Sequence, residues 1–150
     1  MSMTLRMDGL AGLQADLRRA SAEARARVDD AVVGSAMELR GDVVKRIQRG
    51  PATGTVYEKY DPRRTHQSSA PSEAPASDQG GLVRSVLFDK VGQMSATVGS
   101  DLVYARALEF GHVYEDGRVL EARPAWVPAV EAITPKYIAR LERALQEAFQ

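Results

Sequence analysis

The sequence contains few residues that could support catalysis. It has two histidines, His66 and His112, and no cysteine in 150 residues. His112 follows Glu109 by three residues, a spacing that can place two metal ligands on one helical face. Gly111 predicts that the helix ends before His112, so we expect no metal site here. The absence of cysteine excludes disulfides, thiolate catalysis and cysteine-ligated zinc.

Ser68 and Ser69 lie close to His66 and are residue types used in nucleophilic catalysis. A catalytic serine also needs an orienting acid on a rigid scaffold, and the strand–turn–helix pattern of a nucleophile elbow is missing. Residues 50–55 contain two glycines, but they follow a predicted helix and lack the Lys-Ser/Thr of a phosphate-binding loop. We therefore predict no catalytic residues, no cofactor and no enzyme activity.

Two further features could fix geometry rather than perform chemistry. Glu109 and Arg123 could form a bidentate carboxylate–guanidinium pair, although they could equally be two unrelated surface charges. Trp126 lies between Pro124 and Pro128, which restrict the backbone around it. We expect Trp126 to be an anchor of the hydrophobic core.

The elements that would position these residues begin with a helix. Apolar or small residues recur at steps of three and four, which predicts a helix with one apolar face. This stripe consists of Leu10, Leu13, Leu17, Ala20, Ala24, Val28, Val32, Ala36, Leu39, Val43 and Ile47. A helix of this length favours a break near Ser21 or Gly34, and Gly50-Pro51 should end it. The stripe is longer than a small sheet can cover, which favours partial burial against another subunit.

Residues 50–80 contain four prolines and three glycines and show no hydrophobic periodicity. They are predicted to form a long extended loop. Ordering such a segment costs about 1–2 kcal/mol per residue in backbone entropy. Because the segment has few large apolar residues, we expect a partner outside the domain to hold it. The alternative is a passive disordered linker.

The remaining residues predict a small antiparallel sheet. The apolar run 82–89 and the alternating run 94–98 favour a hairpin with its turn at 90–93. Helical spacing at Tyr104–Phe110 predicts a short inserted helix, and Asp116-Gly117 predicts the turn of a second hairpin.

A C-terminal helix is predicted from Val127 to Phe149, either kinked at Pro135 or divided into two short helices with Thr134-Pro135 as the second start. The sum is one α+β domain over 1–150: helical 1–49, a long loop at 50–80, and sheet plus C-terminal helix over 81–150.

An ordered series of short motifs resembles a known family, the gene-ten-type head–tail joining proteins of lambdoid long-tailed bacteriophages. The motifs are Gly54-Thr55-Val56-Tyr57, His66–Ala76, Gly80–Ser85, Val98-Gly99-Ser100, Tyr104-Ala105, Leu108–Gly111 and Arg123-Pro124. They cover about residues 50–130. The family usually has glycine where Ser72 stands, threonine where His112 stands, and phenylalanine with an aliphatic residue where Ala125-Trp126 stand.

The resemblance implies a structural neck or tail-completion protein of a virion, prophage or phage-like particle such as a gene transfer agent. Such proteins usually form a ring of six copies, so the implied partners are further copies, the head-side connector or stopper, and tail-tube proteins, with DNA passing nearby in the channel. The resemblance implies interface positions at Tyr57, His66, Gln67, Ser69, Pro71, Pro75, Glu109 and Arg123. It implies fold anchors at Tyr104, Phe110, Gly111, Pro124 and Trp126.

Charge and hydropathy agree with such a role. Twenty basic residues cancel twenty acidic ones, whereas a sequence-independent DNA binder usually carries a basic excess. The N-terminus lacks the apolar core of a signal peptide, and no run of about 20 apolar residues could span a membrane. We expect assembly in the bacterial cytoplasm into a particle. The alternatives are a tail terminator that caps the tail tube and, in another class, a small regulatory or toxin-like α+β module.

Overall fold

The computed structural model describes residues 10–149, and two long helices dominate it. Helix α1 spans Leu10–Arg49 and helix α4 spans Trp126–Ala148. They run antiparallel, since Arg27 pairs with Glu147 near one end and Lys136 pairs with Glu38 further along. The fully buried core lies where the C-terminal part of α1 meets the start of α4, and consists of Val43, Ile47, Val86, Ala125 and Ala129.

Helix α1 is continuous, so the expected break near Ser21 or Gly34 is wrong. Gly34 and Gly41 are exposed, and each costs only about 1 kcal/mol relative to alanine. Packing of the apolar face against α4 and a hairpin offsets that cost. The helix ends at Gly50, whose N–H donates to the Arg46 carbonyl at 2.8 Å.

Three antiparallel hairpins lie between the long helices, each a separate two-stranded sheet. Their strands are β1 (Val56–Tyr60) with β2 (Arg63–Gln67), β3 (Val86–Gly92) with β4 (Ser95–Ser100), and β5 (His112–Val113) with β6 (Val119–Leu120). The β3–β4 hairpin packs on α1, whereas the main contacts of the β1–β2 hairpin are between its own strands. The predicted α+β class, with small antiparallel sheets and a C-terminal helix, is confirmed.

Residues 50–80 are not the unstructured loop that their composition predicts, because they contain the β1–β2 hairpin. Most residues of both strands are exposed, so neither strand carries the alternation of apolar and polar residues that marks a half-buried strand. Backbone pairing from Val56 opposite Gln67 to Tyr60 opposite Arg63 forms the hairpin instead.

Two short helices border the second hairpin. Helix α2 (Gly81–Arg84) occupies the start of the run predicted as a strand, so β3 begins only at Val86. Helix α3 (Val103–Phe110) matches the predicted inserted helix. It ends at Gly111, whose φ of 78° lies in the left-handed region that favours glycine.

Helix α4 is a single helix that includes Pro135, so a second helical start at Thr134-Pro135 is wrong. Thr134 does not cap a helix; its hydroxyl donates to the Val130 carbonyl at 2.7 Å, within α4. The helix starts eight residues earlier, at Trp126.

Candidate functional site

The 50–80 segment is held by its own chain. Ser69 is only 2% exposed, and the Nε of Arg123 donates to its carbonyl at 3.3 Å. The N–H of Ser72 donates to the Ala122 carbonyl at 2.9 Å, and the N–H of Ser77 donates to the Ile47 carbonyl at 3.3 Å. The expectation that an outside partner must order this segment is therefore wrong.

Glu73 organises the segment from within. Its carboxylate accepts hydrogen bonds from the hydroxyl of Thr53 at 2.5 Å, the N–H of Thr53 at 3.1 Å and the N–H of Ala70 at 2.8 Å. The bond from the Thr53 hydroxyl, followed by the two backbone donors, lowers the pKa of Glu73. One side chain thereby joins both ends of the hairpin region.

Asp78 ties the hairpin to the end of the segment. Its carboxylate accepts bonds from Lys59 and, at 3.0 Å, from Arg64, while the His66 Nδ1 lies 3.8 Å away. The hydrogen bonds from Arg64 and then Lys59 lower the pKa of Asp78 to about 2. Lys59 and Arg64 face each other across β1 and β2, so one carboxylate holds both strands.

An open cleft of about 460 Å³ lies between the hairpin, the 75–82 segment, α3 and the residues before α4. We name it the loop cleft. It brings together several residues that the resemblance places at an interface, although they are far apart in sequence: Tyr57, His66, Ser69, Pro75 and Arg123. Gln67 and Pro71 are exposed and do not line it.

Glu109 performs a function that the sequence analysis missed. It is 6% exposed, and its carboxylate accepts hydrogen bonds from the N–H groups of Ala125 at 2.8 Å, Trp126 at 3.0 Å and Val127 at 2.7 Å. These are the free donors at the start of α4, which has no side-chain cap of its own. The available signal was a C-terminal helix with no Ser, Thr, Asp or Asn at its start.

Glu109 and Arg123 consequently bind different partners, and the ion pair considered between them is not formed. The N–H of Arg123 donates to the Leu108 carbonyl at 2.6 Å, and its Nη1 donates to the Glu121 carbonyl at 3.1 Å. Together with the bond to Ser69, these contacts make Arg123 a bridge between α3 and the 50–80 segment.

The expected fold anchors divide into two groups. Gly111 is an anchor of the backbone, because an added Cβ would lie 2.9 Å from the Leu120 carbonyl oxygen. Trp126 is half-buried and packs against the core, and Pro124 is also half-buried. Phe110 is 67% exposed and Tyr104 is half exposed, so neither anchors the core.

These exposed aromatic residues belong to an apolar surface on α3 and the β5–β6 hairpin, which we name the α3 surface. Val103, at its edge, is 95% exposed. A depression of about 670 Å³ runs between α3 and Tyr114. The exposed apolar members of the surface are Val103, Tyr104, Phe110, Val113, Tyr114 and Val119.

A second uncovered apolar surface follows one side of α4, and we name it the α4 stripe. Its members, which are exposed or half-buried, are Val127, Val130, Ile138, Leu141, Leu145 and Phe149. The sequence pattern placed these residues on a helix, but it could not show which part of the helix α1 leaves uncovered.

Within residues 10–149, no three His, Asp or Glu side chains converge as metal ligands, and no helix is long and apolar enough to cross a membrane. His112 packs edge-on against Tyr114, with 4.8 Å between the ring centres. The geometry offers surfaces for contact with other chains.

Comparison with known proteins adds no relative: no protein-family model, curated protein or solved structure matches this chain. Its function must therefore be argued from the chemistry and geometry of its own residues.

Proposed function

We propose that this chain is a structural subunit that associates with copies of itself into a ring at the head–tail junction of a tailed phage or phage-like particle. The observation that carries the proposal is the pair of apolar surfaces, the α3 surface and the α4 stripe, that the described chain leaves uncovered. Contiguous exposed apolar patches of this kind are typical of protein–protein contacts.

Two different surfaces favour one geometry of association. The α3 surface lies on the short helix and the β5–β6 hairpin, and the α4 stripe lies along a long helix. When two unlike surfaces of identical subunits meet, the contact is head-to-tail, and it closes into a ring if the rotation between subunits permits. A ring with implied sixfold symmetry uses this type of contact.

The backbone at Ser72 supports the resemblance to head–tail joining proteins. Ser72 has a φ of 68°, which is a left-handed conformation. Glycine adopts this conformation at little cost, whereas other residues are strained there. The family usually has glycine at this position, so the local backbone of this chain fits the family pattern even where its residue differs.

The loop cleft then has a natural use as a contact for the proteins above or below the ring. Its walls include the half-exposed rings of Tyr57 and Tyr104, and its floor is fixed by the hydrogen bonds of Arg123. A preorganised surface loses little entropy when a partner docks. The partners in this proposal are the head-side connector and the tail tube.

Light scattering on the purified chain over a range of concentrations, with negative-stain microscopy, tests the self-association. We expect closed rings that a double variant, Val103→Ser with Phe110→Ser, weakens or abolishes. Val91→Ser is the matched control, because Val91 is also exposed but lies on β3, outside both surfaces. A wild-type chain that remains a monomer at every concentration would overturn the proposal.

Location in a particle tests the finer part. A tagged chain, expressed in its source bacterium while particles assemble, should be found by gold labelling between head and tail. Particles from cells that lack the chain should appear as separate heads and tails. Labelling elsewhere in the particle, or joined particles without the chain, would contradict a role at the junction.

A further inference from the structure

The α4 stripe has the form of a helix-packing surface. Its members recur every three or four residues from Val127 to Phe149, which places them along one line of the helix. Ala129, Ile133 and Ala144 form the adjacent line and are buried. Helix α4 therefore has an apolar arc about twice as wide as the line that its own chain covers.

Helix α1 supplies a segment of matching character. It has 40 residues against 23 in α4, or about 60 Å against about 35 Å. Since Arg27 pairs with Glu147 at the end of α4, residues 10–23 of α1 extend about 20 Å past that end. In the sequence, Leu10, Leu13, Leu17 and Ala20 continue the apolar spacing of α1 into this segment.

We infer that residues 10–23 of α1 in one copy pack antiparallel along the α4 stripe of a neighbouring copy. The inference rests on the self-association in the proposed function and names one of its contacts. In one register, Leu13 stands opposite Leu145, Leu17 opposite Leu141 and Ala20 opposite Ile138 of the neighbour. Small and large residues then alternate across the contact, as in packed helix pairs.

The charges beside the two stripes are complementary. On α4, Glu131 lies four residues after Val127, and Glu142 lies three before Leu145, so both exposed carboxylates border the same edge of the α4 stripe. On α1, the exposed Arg18 and Arg25 border one edge of its stripe. In the antiparallel register, Arg18 approaches Glu142 and Arg25 approaches Glu131, each offset by two residues, or about 3 Å.

The same charges argue against a symmetric pair of α4 helices. An antiparallel α4–α4 contact would bring the edge bearing Glu131 and Glu142 against the identical edge of the second copy. Like charges placed together at an interface disfavour the complex. The neighbour's α1 offers opposite charges at the same positions.

Substitution of the α4 stripe tests the contact. Ile138→Asp and Leu145→Asp should each weaken self-association about 30-fold, the usual effect of losing a central interface residue. Ala139→Asp is the matched control, because it adds the same charge to an exposed position on the opposite side of α4 and should leave association unchanged. Circular dichroism establishes that each variant keeps its helices.

Charge reversal identifies the partner helix. The double variant Glu131→Arg with Glu142→Arg should associate more weakly than wild type, as should Arg18→Glu with Arg25→Glu. A mixture of the two variants should regain association, because each α1 then meets an α4 of opposite charge. Exposed charges on helix surfaces are replaced with little effect on folding, so these variants report on contact.

The outcomes separate this inference from the proposed function. If wild type forms rings and both α4 variants form them equally well, the contact is wrong while self-association stands. Failure of the charge-reversed mixture to associate better than either variant alone also overturns the pairing of α1 with α4. If wild type never associates, the proposed ring itself is wrong.

Discussion

The 50–80 segment and the two long helices differ in the way that each satisfies its own chemistry. The segment has few large apolar residues, yet the carboxylates of Glu73 and Asp78 and the buried Ser69 fix it to the domain. The helices have abundant apolar residues, yet α4 leaves its stripe uncovered. Composition alone predicted that the segment would need a partner, and the structure places the uncovered apolar area on the helices and the α3 surface.

The difference shows that exposed apolar area is a better guide to a partner than a polar, proline-rich composition. A polar segment can satisfy its backbone by local hydrogen bonds to a few side chains, and each such bond requires only one well-placed residue. An apolar stripe can be covered only by another apolar surface of similar length. The following substitutions test whether polar contacts order the non-helical parts as strongly as this comparison requires.

The largest effect is expected at Glu109. Replacing it by alanine leaves three N–H groups at the start of α4 without their acceptor, two of them donated by Ala125 and Val127 at 2.8 and 2.7 Å. We expect Glu109→Ala to lower the free energy of unfolding by about 3 kcal/mol. Urea unfolding measures it, with the exposed Glu121→Ala as control, which should change stability by less than about 0.5 kcal/mol. Equal effects of both variants would show that the cap is unimportant.

A smaller effect should separate two glycines. Gly111 and Gly117 both have positive φ values, 78° and 81°, but only at Gly111 would a Cβ meet a carbonyl, that of Leu120 at 2.9 Å. We expect Gly111→Ala to cost about 3 kcal/mol or less and Gly117→Ala about 1 kcal/mol, because the second substitution adds only backbone strain. Thermal unfolding of the two variants checks the order, and a reversed order would contradict the tight contact.

Ser72 offers a gain in stability. Its φ of 68° strains a non-glycine residue, and glycine removes that strain while adding some entropy to the unfolded chain. We expect Ser72→Gly to raise the free energy of unfolding by about 0.5 kcal/mol. The matched substitution Ser77→Gly, at a residue without positive φ, should not stabilise. A destabilised Ser72→Gly variant would contradict the backbone conformation described for the segment.

The smallest effect concerns pH. The pKa of Asp78 is lowered from 3.8 to about 2 in the folded chain, chiefly by its hydrogen bond with Arg64. Its contribution to stability is therefore present above pH 4 and is lost as the pH falls toward 2. We expect Asp78→Asn to remove this part of the acid dependence of the unfolding midpoint, and to speed tryptic cleavage in the hairpin at neutral pH. An unchanged acid profile and unchanged cleavage would show that Asp78 does not hold the hairpin.

Much of the fold could be predicted from the sequence because its signals are local. The apolar spacing from Leu10 to Ile47 predicted α1, Asp116-Gly117 predicted the turn of the β5–β6 hairpin, and Gly111 predicted the end of α3. The β1–β2 hairpin escaped prediction because exposed strands carry no alternating pattern. The continuity of α4 through Pro135 also escaped, because packing against α1 is not visible in the helix's own sequence.

The sequence by itself determined which segments are helical, where two of the turns lie, and that the chain carries little of the machinery of catalysis. Only the tertiary structure decided that Glu109 caps α4, that Arg123 bonds to Ser69, and which apolar residues of α4 remain uncovered. The physical reason is distance along the chain. Helical periodicity and turns depend on residues within a few positions of one another, whereas Glu109 and Val127, or Arg123 and Ser69, meet only when separate elements have packed.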